Sequence, residues 1–319
     1  MAIDLKDRKI MEILEKNSRT SLSGIAKKIR SSPQTTHYRI DKLVEGKVIT
    51  SFHSIVDHAY LNLIKVVVYF KVSYISHSNM MEIIDYFKKN RYVVSVLECG
   101  GNWDLQVSYI VGNISQFNKI FHNDFKEYPN QLSKYEIFFN IVTYFIEKDD
   151  FKNKFMIIGG DREPINLKKE DLLLLYNLGK NSRISIVELS KLVKKDPKTI
   201  MSKIDLLQKT GLIRKFTIEI DQVELGFVTN ILLISYSKLD STEEDKLVDF
   251  LVNEEEIVSF TKVIGSANLE LSVKVKNAIA LRTLLFRLRE KFSSLITEII
   301  NVPVFGVHKS GFVPEWVIE

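Results

Sequence analysis

The sequence predicts an α+β fold made by tandem duplication of one two-domain unit. The first observation is a repeat, since Asn17-Ser18-Arg19 recurs as Asn181-Ser182-Arg183, 164 residues further along. The second is the order of hydrophobic patterns, because in each copy a helical segment comes first and strands alternate with helices afterwards. A period of this length indicates duplicated domains rather than a solenoid of short repeats.

The first segment of each copy is predicted to be a helix-turn-helix. In copy one, an amphipathic helix over 4–16 precedes a short helix capped by Ser21. Ser32 followed by Pro33 predicts the start of the next helix, over 33–44, because Ser caps the free backbone N–H groups and Pro suits the first helical position. Strand-like residues follow that helix, so we predict a winged unit.

The helix over 33–44 and its counterpart over 197–208 have polar and basic outer faces. A short, capped helix of this kind, backed by another helix, suits the major groove of duplex DNA. Solvated helix charges are the alternative reading of Arg39 and Lys42. The predicted DNA-binding residues are Ser32, Gln34, Thr35, Thr36, His37, Tyr38, Arg39, Lys42, Lys198, Thr199, Met201, Ser202 and Lys203.

The positive charge of the chain is concentrated on these two segments. Residues 1–62 carry 11 Lys or Arg against 7 Asp or Glu, and residues 165–226 carry 12 against 8. Each segment therefore has a net charge of +4, whereas the whole chain has +5. Nucleic acids favour such a distribution because neutralised phosphates supply much of the affinity.

The second segment of each copy alternates strands and helices. Val- and Phe-rich runs over 64–73, 93–97, 105–111 and 132–145 read as strands, with helical spacing over 79–90 and 115–128. This β-α-β-β-α-β order is ferredoxin-like, and the same order follows over 229–307. The predicted domains are a winged helix-turn-helix over 1–62, a ferredoxin-like domain over 63–148, a linker over 149–164, a second winged helix-turn-helix over 165–227 and a second ferredoxin-like domain over 228–319.

Composition excludes several other classes of protein. Cys99 is the single cysteine, which excludes a disulfide framework and a thiolate metal cluster. No run of residues has the length and apolarity of a membrane span, so we expect a cytoplasmic protein without membrane contacts. No nucleophile–base pair, phosphate loop or metal-ligand spacing is apparent, so we predict neither catalytic residues, nor a metal, nor a cofactor.

These features together resemble the Lrp/AsnC family of prokaryotic transcriptional regulators. The resemblance covers both copies, and in copy one it includes the turn Gly100-Gly101-Asn102-Trp103-Asp104, which is similar to the family's Thr-Gly-x-Tyr-Asp turn. The other residues that carry it are Leu5, Asp7-Arg8-Lys9-Ile10, Asn17-Ser18-Arg19, Ile25-Ala26-Lys27, Ser32-Pro33, Tyr38-Arg39-Ile40, Leu43, Val56-Asp57 and Leu61. The resemblance implies a DNA-binding regulator, with a second domain that senses amino acids and dimerises. Arg39 matches a family arginine that can be structural.

The resemblance also implies a site for an amino acid or another small effector. Its candidates are Gly100, Gly101 and Asp104, the backbone amides meeting the ligand's carboxylate and Asp104 its ammonium group. A plain hairpin turn is the alternative. Copy two departs from the family at this turn, with Ala267 and Asn268, and copy one has Lys47 where copy two has the expected Gly211.

Siroheme decarboxylases, which share this doubled architecture, are the alternative function. His53 and His58 are the most enzyme-like residues, and His58 follows Asp57 where such enzymes carry functional histidines. Ala59 stands where a basic residue would be expected, and copy two has Gln222 in place of His58. A tetra-anionic macrocycle needs several converging cations, so we predict a regulator and not an enzyme.

The assembly follows from the duplication. The family pairs two chains through their second domains, whereas here both such domains are on one chain. Linkage raises the effective concentration of the two partners to around millimolar. We therefore expect an intramolecular pseudo-dimer, either monomeric as a chain or assembled further into a homo-oligomer, with double-stranded DNA as its partner.

Overall fold

The structure, a computed structural model, describes residues 3–74, 76–132, 134–147, 154–237 and 241–319. The chain forms two compact units. The first, here called the head unit, comprises Met1–Asp57, Ile165–Gly226 and Gly311–Glu319. The second, the sheet unit, comprises His58–Pro164 and Phe227–Ser310.

Each copy of the duplication supplies the same elements in the same order. Copy one contains α1 (Leu5–Lys16), α2 (Leu22–Ile29), α3 (Pro33–Glu45), β1 (Ile49–Val56), β2 (Ile64–Lys71), α4 (His77–Lys89), β3 (Val93–Cys99), β4 (Leu105–Val111), α5 (Ile114–Glu127), β5 (Lys134–Glu147) and β6 (Lys154–Gly159). Copy two contains α6 (Lys169–Lys180), α7 (Ile186–Val193), α8 (Pro197–Lys209), β7 (Ile213–Ile220), β8 (Val228–Tyr236), α9 (Ser241–Asn253), β9 (Ile257–Ile264), β10 (Leu269–Val275), α10 (Ala278–Lys291) and β11 (Ile296–Lys309). Short 3-10 helices span His58–Leu61 and Glu315–Ile318.

The head unit holds both three-helix bundles. The strand predicted after each reading helix is present, but β1 pairs antiparallel with β7, so each copy's strand has the other copy's strand as its partner. At the centre, the Oγ atoms of Ser18 and Ser182 lie 2.6 Å apart. Arg19 donates to the carbonyl of Ser182 at 2.6 Å, and Arg183 donates to that of Ser18 at 2.6 Å. These reciprocal bonds relate the two bundles by a pseudo-two-fold axis.

Two ferredoxin-like halves make up the sheet unit. Their strand orders are β5-β2-β4-β3 and β11-β8-β10-β9, with α4, α5, α9 and α10 supplying the predicted helices. The halves are joined because the two longest strands change partners along their length. β5 pairs with β2 up to Phe139 and with β9 from there onward, and β11 pairs with β8 up to Val304 and with β3 beyond it. Eight strands therefore form one continuous ring of pairings.

Apolar side chains fill three places in the sheet unit. Each half packs its two helices on its own strands, around Phe70, Phe87 and Leu105 in copy one and Leu232, Phe260 and Leu284 in copy two. The opposite faces of the strands meet in a third cluster, which contains residues of both copies. Its fully or nearly fully buried members include Val67, Tyr69, Phe138, Leu233 and Val302.

The predicted α+β duplication is confirmed, with three differences in detail. Residues 154–164 were predicted as linker, yet Lys154–Gly159 is strand β6, paired with the end of β5; 149–153 lie outside the described residues. The C-terminal residues 311–319 belong to the head unit, because Phe312 stacks on the His53 ring at 5.7 Å. Lys47 occupies the left-handed region at φ 55°, where Gly211 of copy two has φ 80°.

Among the described residues no helix combines the length and the apolarity needed to cross a membrane. That finding covers α1–α10.

Candidate nucleic-acid interface

The start of α3 is fixed by its first residues. Ser32 accepts a hydrogen bond from the backbone N–H of Thr35 at 3.1 Å, and Pro33 is the first helical residue. The hydroxyl of Thr35 lies 2.9 Å from that of Ser32. Satisfying the free N–H groups in this way holds the exposed first turn in one conformation.

The outer face of α3 is exposed and polar. Gln34, Thr35, His37, Tyr38 and Lys42 are all exposed, and Tyr38 is 58% exposed. The Lys42 ammonium lies 4.8 Å from the centre of the Tyr38 ring, which holds the two side chains together as a cation–π pair. His37 Nδ1 lies 2.5 Å from the Asp41 carboxylate. This face offers hydrogen-bond donors and acceptors, an aromatic ring and a cation to a ligand.

Two residues of the predicted set do not face solvent in this way. Thr36 is fully buried and donates its hydroxyl to the carbonyl of Ser32 at 2.8 Å, so the prediction that it contacts DNA is wrong. Arg39 donates to Asp4 at 2.8 Å and to Asp7 at 2.7 Å. Since Asp7 is buried at the start of α1, Arg39 fastens α3 to α1, and its structural role is the one that the contacts support.

Copy two builds α8 on the same plan with other side chains. Asp196 caps it by accepting the Thr199 backbone N–H at 2.9 Å, and it also accepts the Thr199 hydroxyl at 2.5 Å. Lys203 forms ion pairs with Asp171 and Glu170 of α6, as Arg39 does with α1. The hydroxyl of Thr199 and the charge of Lys203 are therefore engaged within the protein.

What remains exposed on α8 differs in character from α3. Lys198, Met201 and Ser202 are exposed, and the Met201 side chain is 54% exposed. Leu206, which the sequence analysis did not single out, is 58% exposed on the same helix. Helix α8 thus presents apolar surface beside its cations, whereas α3 presents polar groups.

Sequence reasoning missed the role of Arg19 and Arg183. Each guanidinium also donates to a second carbonyl of the opposite copy, Arg19 to Ile184 at 3.1 Å and Arg183 to Thr20 at 3.3 Å. Burial lowers the pKa of both guanidinium groups. The signal was the repeated Asn-Ser-Arg itself, which marks the contact between the copies.

The predicted effector turn is occupied by bonds within the protein. The backbone N–H of Gly100 donates to the Pro303 carbonyl at 2.9 Å. Asp104 accepts the Val72 N–H at 2.8 Å and lies 3.1 Å from the Lys71 ammonium. Neither group is open to an amino acid in the way we predicted. Gly101 has φ 75°, which fits the tight turn.

In copy two, Asn268 keeps the structural half of this arrangement. Its side-chain oxygen accepts the Tyr236 N–H at 2.8 Å, the counterpart of the bond between Asp104 and Val72. The turn therefore requires a hydrogen-bond acceptor rather than a charge, which explains why Asp and Asn both serve.

The two histidines of the enzyme alternative are buried. His53 is 4% exposed and His58 is 8% exposed. Burial lowers the pKa of His53 to about 4. Burial and the nearby Lys65 charge lower that of His58 to about 3. Both imidazoles are neutral near pH 7, so neither supplies a cation for a carboxylate-bearing macrocycle.

In the part of the chain that the structure describes, no cluster of three or more His, Cys, Asp or Glu side chains is placed to hold a metal ion. The Cys99 thiol is buried, and burial raises its pKa to about 12.

Comparison with known proteins places these features. A family model described as winged helix-turn-helix DNA-binding matches residues 3–50. An uncharacterized HTH-type transcriptional regulator of Pyrococcus horikoshii is 36% identical over 103 residues, which cover 32% of this chain and 68% of that protein. The HTH-type transcriptional regulator LysM of Sulfurisphaera tokodaii is 34% identical over 117 residues, or 37% of this chain and 81% of LysM. The chain belongs to the Lrp/AsnC family of transcriptional regulators.

As a Lrp/AsnC protein it is a DNA-binding regulator, and such relatives match less than half of its length, as a duplication requires. The doubled architecture is also that of a solved structure, the siroheme decarboxylase NirDL. The two share a TM-score of 0.62 over 97% of this chain and 94% of that one, with 12% identity. This likeness is one of fold.

Proposed function

We propose that the chain binds duplex DNA sequence-specifically through α3 and α8, as a cytoplasmic regulator whose two heads are carried on one chain. The observation that carries the proposal is the pair of capped helices in one unit, each fastened by a cation to the first helix of its bundle. The proposed contacts are Gln34, Thr35, His37, Tyr38 and Lys42 in copy one, and Lys198, Met201 and Ser202 in copy two. The hydroxyls and cations engaged within the protein serve to position these residues.

Because the two heads expose different side chains, they read different base edges. Selection from random DNA should therefore return two unlike half-sites or an imperfect palindrome. A perfect palindrome bound by a single chain would contradict the proposal. Binding is then measured by fluorescence anisotropy at several salt concentrations, because phosphate contacts make affinity fall with salt.

We propose further that the pseudo-dimer is one chain. The continuous ring of strands supports this, since β5 and β11 each pair with strands of both copies. A protease site inserted ahead of β6 tests it. After cleavage the two halves should elute together as one particle of the mass of a single chain. Halves that separate at micromolar concentration would contradict the pseudo-dimer.

We propose that the chain is not an enzyme. The relatives in sequence are regulators, and the buried, neutral His53 and His58 support a structural role for both rings. An absorption spectrum of the purified protein tests this directly. A bound tetrapyrrole with its strong near-ultraviolet band would favour the decarboxylase alternative.

A further inference from the structure

The helical layer of copy one contains a cavity without a role in DNA binding. It has a volume of about 330 Å³ and lies between the C-terminal end of α4, the start of β3 and one face of α5. Tyr86, Tyr92 and Ile120 form apolar walls, Lys89 lies at the rim, and Asp124 contributes a carboxylate. This volume is within the range of small-molecule sites, roughly 300–1,000 Å³.

Asp124 is the polar centre of the cavity. It is 1% exposed and accepts hydrogen bonds from the hydroxyls of Tyr86 at 2.8 Å and Tyr109 at 2.7 Å. The side-chain amide of Asn90 donates a third at 3.2 Å. An ionised carboxylate has about four acceptor sites, so one site remains for another donor. Burial raises the pKa of this carboxyl group.

Copy two provides an internal comparison, because α9, β10 and α10 repeat α4, β4 and α5 at the same offset. Leu288 stands in place of Asp124, Val273 in place of Tyr109 and Phe250 in place of Tyr86. Leu288 and Val273 are fully buried. The same helices therefore pack on the same sheet without any member of this polar group.

The rim changes in copy two as well. Arg287 takes the place of Asn123 and forms ion pairs with Glu254 at 2.6 Å and Glu256 at 2.9 Å. Replacing a buried polar network by apolar residues of suitable size is often neutral or stabilising. The polar group of copy one is therefore not required by the fold, and a ligand accounts for it.

The chemistry of the walls defines the ligand. A buried carboxylate selects a protonated amine, aromatic rings accept a cation or an apolar body on their faces, and ammonium and guanidinium groups at the rim attract an anion. We propose that this cavity binds a small zwitterion of the α-amino acid type, with its amine on Asp124 and its carboxylate towards Lys89 and Arg91. This site would serve the regulatory response, but its occupancy does not depend on DNA.

Isothermal titration calorimetry on the full chain without DNA tests the proposal. The probes are the standard L-amino acids, each beside its N-acetylated form, which lacks the charged amine. At least one amino acid should bind with a sub-millimolar Kd, and its N-acetylated form should bind at least about tenfold more weakly, since the charged amine contributes a charge-assisted hydrogen bond.

Two variants identify the site. Asp124→Asn and the triple variant Tyr86→Phe, Tyr109→Val, Asp124→Leu, which installs the residues of copy two, should each weaken binding at least about tenfold. Phe250→Tyr, which adds a hydroxyl at the matching position of copy two, is the control and should leave the Kd unchanged. Circular dichroism and melting curves establish that each variant is folded.

Absence of heat for every amino acid at millimolar concentration would overturn the proposal. Binding that survives both Asp124 variants would overturn it equally, because the amino acid would then bind elsewhere. Loss of DNA binding by Lys42 variants leaves this result untouched, so failure of the DNA proposal and failure of the ligand proposal are distinguishable.

Discussion

Gln106 of copy one and Glu270 of copy two occupy the same position of the repeat, and their side chains meet in the interior of the sheet unit. The Gln106 amide nitrogen lies 3.4 Å from the Glu270 carboxylate. It also donates to the Tyr69 hydroxyl at 2.6 Å, which in turn donates to Glu270 at 2.7 Å. In a symmetric dimer this position would face itself, as two amides or as two carboxylates. The duplicated chain instead joins one of each.

Gln106→Glu should therefore destabilise the protein. Two carboxylates would then share a buried site, where like charges oppose each other. We expect the free energy of unfolding at pH 7 to fall by roughly 2 kcal/mol, as measured by urea denaturation. The loss should shrink near pH 5, where one carboxyl group can hold a proton. Glu270→Gln removes the charge without adding another and is the matched control. Equal stability of Gln106→Glu and wild type at pH 7 would contradict this account.

Arg183→Ala should loosen the contact between the two heads. The substitution removes hydrogen bonds from a partly buried guanidinium to the carbonyls of Ser18 and Thr20. Hydrogen bonds that involve a charged group contribute about 1.5–3 kcal/mol, so a loss of that size in unfolding free energy is expected. Arg19→Ala should cost a similar amount because its contacts are reciprocal. The exposed Lys28→Ala should change stability little, and a comparable loss there would argue against a specific contact.

Stability should fall with acid partly because of His53. Its folded pKa of about 4 lies below the unfolded value of 6.5, so the unfolded chain binds more protons between these values. The contribution is complete above pH 6.5 and is lost as the pH falls towards 4. The linkage amounts to about 2 kcal/mol at pH 5. His53→Gln should reduce the slope of unfolding free energy against pH in this window. An unchanged slope would show that the His53 ring is accessible to protons in the folded state.

Arg39 and Lys42 should separate stability from DNA affinity. Arg39→Met removes the bonds to Asp4 and Asp7 and should lower the melting temperature. Lys42→Ala removes an exposed cation and should weaken DNA binding, reducing the slope of log affinity against log salt by about 1. Lys126→Ala, on α5 of the other unit, removes the same charge elsewhere and is the control. If Lys42→Ala and Lys126→Ala have equal salt slopes, then α3 does not contact phosphates.

Much of this architecture could be predicted from local signals. The caps at Ser32 and Asp196, the prolines after them and the periodic apolar residues define helices directly, and β-α-β-β-α-β order follows from pattern alone. The pairing of β1 with β7 could not be predicted, because a strand's register does not reveal which copy supplies its partner. The same holds for residues 154–159, which read as linker until the edge of β5 is known to be open to them.

The candidate contacts were predicted less well than the fold. Helical periodicity places Thr36, Arg39 and Lys203 near the boundary between the inner and outer faces, where a single turn decides burial. Their partners lie far away in sequence, as Asp7 does for Arg39 and Asp171 for Lys203. The exposed Leu206 was overlooked for the converse reason, since a leucine in a periodic helix is expected to be inside.

The exchange of β5 and β11 between the halves has a consequence for synthesis on the ribosome. When copy one has emerged, the segment Phe139–Phe145 of β5 is made but its partner β9 is not, because β9 ends at Ile264. At about 5–20 residues per second, the nascent chain carries this uncovered edge for roughly ten seconds. Copy one therefore completes its sheet only when copy two arrives, and the protein matures as a whole rather than half by half.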